Sequence, residues 1–191
     1  ATDPDADRIA VVAETGDFLG EELSLALCAQ YVLSRANDAK DRGRPVVINM
    51  STSRVCEDIA REAGRELIRT AVGEVNVAEK MEEAKAIIGG EGNGGVIDPR
   101  IHYGRDAIVG MGLMLEYMAR SGRRCGELAA ALPRYCMLKT KLDCPAAQSR
   151  EVIRALKTEA KSARANTEDG LRLDWDDRWV HLRASNTEPV M

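Results

Sequence analysis

Pro45-Val46-Val47-Ile48 opens the stretch on which the fold turns. A run of β-branched residues behind a proline suits a short buried strand. Ser51 or Ser53 can then cap a helix carrying Val55, Ile59, Ala60 and Ala63 on one face, with Gly64 closing it. Working outward, the unit recurs. Upstream, Ile9-Ala10-Val11-Val12-Ala13 reads as a strand, Gly16 and Gly20 mark the turn, and Glu21-Glu22 opens a helix to about Arg35 through Leu23, Ala26, Leu27, Gln30 and Tyr31. Downstream, Glu66 to Arg69 precedes a helix from about Glu74 to Glu83, and Ala86-Ile87-Ile88 runs into a glycine-rich loop. Strands alternating with helices over short links predict an α/β fold: a mixed, mostly parallel, helix-flanked sheet.

After that loop, Ile108, Met111, Leu115 and Met118 mark an amphipathic helix ending near Ser121-Gly122. From about Pro133 the texture changes. Tyr135 to Leu142 alternates, Gln148 to Arg164 reads as a helix with Val152, Ile153, Leu156 and Ala160 inward, and Leu171 to Trp175 with Arg178 to Arg183 reads as a hairpin. A smaller α+β domain therefore follows a boundary near residues 128–134.

The 191 residues are 45% apolar, enough for a buried core, and 30% charged with a net charge of −4. Lys and Arg are scattered among Asp and Glu, and two Trp, four Tyr and one Phe give little aromatic surface for stacking on bases. We expect no nucleic-acid partner. Five separated cysteines without a CxxC pair suggest neither a zinc site nor a disulfide framework, so reduced thiols and a cytoplasmic protein are expected. No apolar run reaches the ~20 residues of a bilayer span, and the acidic start does not read as a signal peptide. We expect no membrane partner.

Asp3-Pro4-Asp5-Ala6-Asp7-Arg8 places carboxylates at every second position of an extended segment, on one side of the chain. Such a loop is either simply solvated or a site whose repulsion a hard cation such as Mg²⁺ relieves. Glu14 falls twelfth from Asp3, as in a calcium EF-hand, but the sixth position is Arg8 where that loop needs glycine, and a strand follows instead of a helix. Haloacid-dehalogenase-type phosphatases carry Asp-x-Asp after a strand, whereas these aspartates precede one. Two further loops follow. Gly89-Gly90-Glu91-Gly92-Asn93-Gly94-Gly95 is a turn or a ligand-facing loop, and Arg183-Ala184-Ser185-Asn186-Thr187-Glu188-Pro189 is a turn or an anion nest.

In this order and spacing the three loops resemble the metal, sugar-binding and phosphate-binding loops of the α-D-phosphohexomutase family of phosphoglucomutases, phosphomannomutases and phosphoglucosamine mutases. The resemblance covers essentially the whole chain. It implies the end of the family's second domain in residues 1–13, its third, sugar-binding domain in 14–130, and most of its fourth, phosphate-binding domain in 131–191. Asp3, Asp5 and Asp7 would then ligate Mg²⁺, and Arg8 would lie against the transferring phosphate, its alternative role being an ion pair with the aspartates. Glu91 and Asn93 would meet sugar hydroxyls. Arg183, Ser185, Asn186 and Thr187 would hold the phosphate that is not transferred. Gly73-Glu74-Val75-Asn76 aligns with a family loop facing the substrate, and Ser51, Thr52 and Ser53 join it as weaker assignments. The sequence departs from the common Gly-Glu-x-Ser-Gly-His pattern, with Asn93 for the serine and Gly95 for the histidine. His102 stands seven residues on and is left out of the catalytic set.

The implied activity is interconversion of hexose 1-phosphate and hexose 6-phosphate through a phosphoserine and a hexose bisphosphate, those sugar phosphates being the partners. A site beginning at the third residue and a polar loop at the end lead us to expect a piece of a longer protein, whose N-terminal domains would be a further partner. Two alternatives stay open: an inert sugar-phosphate-binding fragment and a metal-dependent phosphatase. The phosphohexomutase reading requires Glu91 and Arg183 to face one cleft.

Overall fold

The structure, a computed structural model, describes residues 1–36, 38–184 and 190–191. The chain divides into two units, Ala1–Cys136 and Met137–Met191. In the first, strands β1 (Val46–Asn49), β2 (Leu67–Thr70), β3 (Ile88–Glu91) and β4 (Gly95–Ile97) form one sheet in the order β2-β1-β3-β4. The first three are parallel and β4 returns antiparallel, with Glu91 opposite Gly95. Helices α1 (Glu21–Arg35), α2 (Val55–Glu62), α3 (Glu74–Glu83), α4 (Ala107–Ser121) and α5 (Cys125–Ala130) surround it.

Alternation along β1 explains the layers. Val46 and Ile48 face a core built with Leu25, Ala29, Val55, Ile59 and Val96, while Val47 faces the opposite side with Val77, Met81 and Ile97. Both faces are covered, which is why the strand reads as continuously apolar. Each such side chain contributes about 1.5–3 kcal/mol by leaving water. The residue that caps α2 is Arg54, without a side-chain cap, and neither Ser51 nor Ser53; Ser53 Oγ accepts from the Val55 N–H at 3.3 Å from one position further out.

Two expectations are corrected here. Residues 9–13 form no strand of their own; Ile9 and Val12 make single bridges, to Thr2 and Phe18, because the loops on either side supply their partners. On α4 the buried face is Ala107, Gly110, Leu113 and Met114, and Ile108 and Leu115 point outward at 63% and 65% exposure. Small residues let this helix approach the core closely: a β-carbon on Gly110 would lie 3.2 Å from Ile9 Cγ2.

The second unit holds α6 (Ala146–Glu159) and an antiparallel sheet of β5 (Arg164–Asn166), β6 (Leu171–Asp174) and β7 (Trp179–Leu182). The hairpin is where the turn residues put it. Helix α6 starts earlier and stops earlier than its apolar spacing suggests, and Arg164 opens β5. Val152 on α6 is exposed, whereas Ile153 and Leu156 are half-buried. The alternating segment from Tyr135 to Leu142 is not a strand; Leu142 exchanges backbone hydrogen bonds with Met191 at 2.9 Å.

Candidate active site

The aspartate loop is held by the loop it would have to work with. Arg8 bridges Gly95, the Ile9 N–H donates to Gly94 O at 3.0 Å, and the Ala107 N–H at the start of α4 donates to Ala6 O at 3.1 Å. Gly94 has φ of 92°, and a β-carbon there would sit 2.5 Å from Ile9 O, so this close approach needs glycine. The metal-type loop and the sugar-type loop are thus stitched together by backbone bonds.

Asp3, Asp5 and Asp7 each offer a carboxylate oxygen within 4.8 Å of the others. Opposite ligands of an octahedral ion at ~2.1 Å stand ~4.2 Å apart, so a small side-chain adjustment would let all three meet one hard cation. Asp7 Oδ1 is buried without a hydrogen-bond partner. The donor set and this orphan oxygen fit Mg²⁺.

Two arginines serve as counter-charges. Arg8 Nε donates to Asp3 Oδ2 at 2.6 Å and lies 3.4 Å from Asp7 Oδ1, so the ion pair anticipated as Arg8's alternative role is present. Desolvation pushes the Asp3 carboxyl up, but hydrogen bonds from the Arg8 side chain and N–H outweigh it and hold Asp3 well below the usual carboxylate range. Asp7 goes the other way. Its burial raises it, the neighbouring Arg105 charge only partly offsets this, and Asp3 and Asp5 add repulsion.

Glu91, at the end of β3, is 2% exposed. Its Oε1 accepts from Asn49 Nδ2 at 2.7 Å and the Gly73 N–H at 3.0 Å. Its Oε2 accepts from Arg105 Nη1 at 2.7 Å and Asn93 Nδ2 at 3.4 Å. Each oxygen is met by two protein donors, so a sugar hydroxyl that bonds Glu91 has to displace one of them. Asn93 Oδ1 accepts from the Gly95 N–H at 3.1 Å. Thr52 Oγ1 accepts from the Gly92 N–H at 2.9 Å and donates to Asn49 Oδ1 at 2.8 Å, which ties the loop after β1 to the sugar-type loop.

Sequence reasoning missed Arg105. Its Nη2 donates to Asp7 Oδ2, its Nη1 holds Glu91, its Nε lies 3.5 Å from Glu74 Oε2, and its N–H donates to Glu74 Oε1 at 2.8 Å. The one available signal was negative: Gly95 lacks the side chain of the common pattern, and the Arg105 stem runs over it, with Cδ 2.3 Å from where a β-carbon at 95 would stand.

His102 is held at both ring nitrogens, Nδ1 accepting from the Gly104 N–H at 3.0 Å and Nε2 lying 3.0 Å from Asp106 Oδ2. Asp106 in turn caps α4 through the Ile108 and Val109 N–H groups. Its place is structural. In the second unit Arg183 Nε donates to Asp169 Oδ1 at 3.1 Å. Ser185, Asn186 and Thr187 lie outside the described residues.

Residues 21–135 match the family model described as phosphoglucomutase/phosphomannomutase, alpha/beta/alpha domain III. The chain belongs to the phosphoglucomutase/phosphomannomutase family. Among relatives of this family, a probable phosphoglucosamine mutase of Methanopyrus kandleri is 36% identical over 100% of this chain and 42% of its own length. A phosphoglucomutase/phosphomannomutase of Thermococcus kodakarensis is also 36% identical, over 100% of this chain and 41% of its own length. A solved structure of a phosphoglucomutase/phosphomannomutase family protein from Burkholderia thailandensis superimposes with a TM-score of 0.82 at 30% identity, covering 100% of this chain and 40% of that one. The chain therefore spans about two-fifths of the length of these family members.

Proposed function

We propose that this chain forms the sugar-phosphate-binding part, and one side of the metal site, of a phosphohexomutase that interconverts hexose 1-phosphate and hexose 6-phosphate through a phosphoserine and a bisphosphate. In this reading residues 1–13, 14–130 and 131–191 are the end of the second domain, the third domain and most of the fourth. One observation carries it: a single guanidinium, that of Arg105, joins Asp7 of the aspartate loop to Glu91 of the glycine-rich loop. A metal-binding loop and a hydroxyl-binding loop fused in this way suit phosphoryl transfer to or from a sugar.

Asp3, Asp5 and Asp7 would hold Mg²⁺, which when bound supplies Lewis acidity toward a phosphoryl oxygen. Arg8, its side chain 45% exposed, can leave Asp3 and reach an incoming phosphate. Glu91 and Asn93 would orient the sugar ring, with Gly73 and Asn49 fixing the Glu91 carboxylate from behind. Arg183, with Ser185, Asn186 and Thr187, would grip the phosphate at the other end of the sugar, as positioning catalysis requires. The five free cysteines accord with a cytoplasmic setting. Among the described residues no helix is long and apolar enough to cross a membrane.

The test is a mutase assay on this chain and on a protein of the relatives' full length containing it, with glucose, mannose and glucosamine phosphates. Isomer formation by the longer protein, abolished by Asp7→Asn and by chelation, is expected, and little turnover by the 191 residues alone. Release of inorganic phosphate without isomer would favour a phosphatase and sink the proposal.

A further inference from the structure

Arg105 stands in the loop just before α4, distant in sequence from one of the residues it holds. It is separated from Asp7 by 98 positions and from Glu91 by 14. Its side chain is 18% exposed and lies between three carboxylates, those of Asp7, Glu91 and Glu74. Its geometry is a fork, one prong on the aspartate loop and one on the sugar-type loop, which a lysine cannot reproduce.

The fork leaves the two oxygens of Asp7 in different states. Oδ2 is bound to Arg105, while Oδ1 is buried and without a hydrogen bond, its nearest cation being Arg8 Nε at 3.4 Å. An arginine on the back of a carboxylate fixes its orientation, and its positive charge also opposes a cation on the other side. On the other prong, Arg105 fills one of the two donor positions on Glu91 Oε2. Whatever happens to Glu91 is thereby felt by Asp7.

The room for this fork comes from Gly95. A side chain at 95 and the Arg105 stem would share one volume, Cβ to Cδ being 2.3 Å. The clash is with a flexible side chain, so a β-carbon at 95 displaces the arginine instead of breaking the strand.

We propose that Arg105 is a positioning residue that couples the metal loop to the sugar loop, its guanidinium sharing Asp7 with the bound cation and Glu91 with the sugar, in the space left by the missing side chain at 95. The proposal rests on the phosphohexomutase reading of the two loops. Its consequence is that the state of Glu91 sets metal affinity through Arg105. When Glu91 loses its charge, Arg105 settles fully on Asp7 and competes harder with the cation; when Arg105 is absent, that route is closed.

The experiment is Mn²⁺ binding to the full 191-residue chain, followed by electron paramagnetic resonance of the free ion, for wild type, Arg105→Ala, Arg105→Lys, Glu91→Gln, the Arg105→Ala/Glu91→Gln double variant and Gly95→Ala. Loss of a unit charge a few ångströms from a divalent ion in a water-like dielectric changes affinity about tenfold, so Arg105→Ala should bind Mn²⁺ about tenfold more tightly. Arg105→Lys keeps a positive charge near the cation but cannot span both loops, so its affinity should fall between those of wild type and Arg105→Ala. Glu91→Gln should weaken binding about threefold or more, and in the Arg105→Ala background this effect should shrink at least threefold, so that the single effects do not multiply. Gly95→Ala should shift affinity in the same direction as Arg105→Ala. Thermal unfolding of each variant identifies any that has lost its fold, and Arg105→Lys and Gly95→Ala then carry the decision.

Multiplicative effects of Arg105→Ala and Glu91→Gln, or a Gly95→Ala variant with wild-type affinity beside a shifted Arg105→Ala, would overturn the coupling and leave the mutase reading standing. Absence of Mn²⁺ binding in every variant, wild type included, would overturn the coupling in this chain, while the mutase reading, which gives the chain only one side of the metal site, stands or falls by the isomer assay.

Discussion

Replacing Gly90 with alanine offers a severe test of how the site is built, because the next residue is Glu91 and the clash is with backbone. Gly90 has φ of 148°, and a β-carbon there would sit 2.1 Å from the carbonyl oxygen of Gly95 and 3.1 Å from its carbon, across the β3–β4 pair. The backbone conformation alone costs a residue with a β-carbon about 1–2 kcal/mol. Forcing extra volume into a packed position adds about 1–3 kcal/mol. A loss of about 3 kcal/mol is expected, a large share of the ~5–15 kcal/mol that holds a domain together. With a urea slope of about 2 kcal/mol/M, the midpoint should fall by roughly 1.5 M. Gly112→Ala is the control: it lies in exposed α4 surface with nothing within 4 Å, and it should be neutral or gain up to about 1 kcal/mol. The readout can be assigned to the correct unit, since both tryptophans, Trp175 and Trp179, lie in residues 137–191. Helices α1–α5 lie in the first unit, so the loss should be read by far-ultraviolet circular dichroism, with tryptophan fluorescence reporting the second unit separately. A Gly90→Ala chain within about 1 kcal/mol of wild type would refute the close β3–β4 approach that aims Glu91, since strain and overlap together must exceed that.

Two further outcomes follow from protonation and burial. His181 is pushed below the usual imidazole value by burial, which outweighs the opposing pull of the Asp169 carbonyl oxygen 2.6 Å from its Nε2 and of the Asp169 charge. A base with a lowered folded pKa contributes stability above its unfolded value of 6.5, and that contribution is lost as pH falls from there through the folded pKa. The tryptophan-detected urea midpoint should therefore drop between pH 7.5 and 5, and His181→Gln should flatten the slope; an equal drop in that variant contradicts the assignment. Among the thiols, burial raises Cys28 and Cys56 to about 12, whereas Cys136 is exposed, so an aromatic disulfide reagent at pH 8 should label Cys136 and spare Cys28 and Cys56 until the chain unfolds. Prompt labelling of Cys28 in the native protein, read by mass spectrometry, would contradict the packing of α1.

Much of the architecture was legible from local pattern. Val46-Val47-Ile48 announced a strand covered on both faces, and the turn residues around Leu171 to Leu182 announced the hairpin, because strand pairing across a short turn and two-sided burial are written into neighbouring residues. The alternating aspartates announced three carboxylates gathered on one side for the same reason, since a period of two fixes their side whatever the rest of the chain does. Tertiary structure decided what no local pattern encodes. The face of α4 was misread because its core contact is made by Ala107 and Gly110, whose small size matters only once Ile9 and Val96 are known to lie against them. Residues 9–13, strand-like in composition, pair with loops instead, as their neighbours in space supply single bridges. The role of Arg105 was invisible for a related reason. One arginine before a helix carries no signal by itself, and only the folded chain brings Asp7, Glu91 and the open volume over Gly95 within reach of the same guanidinium.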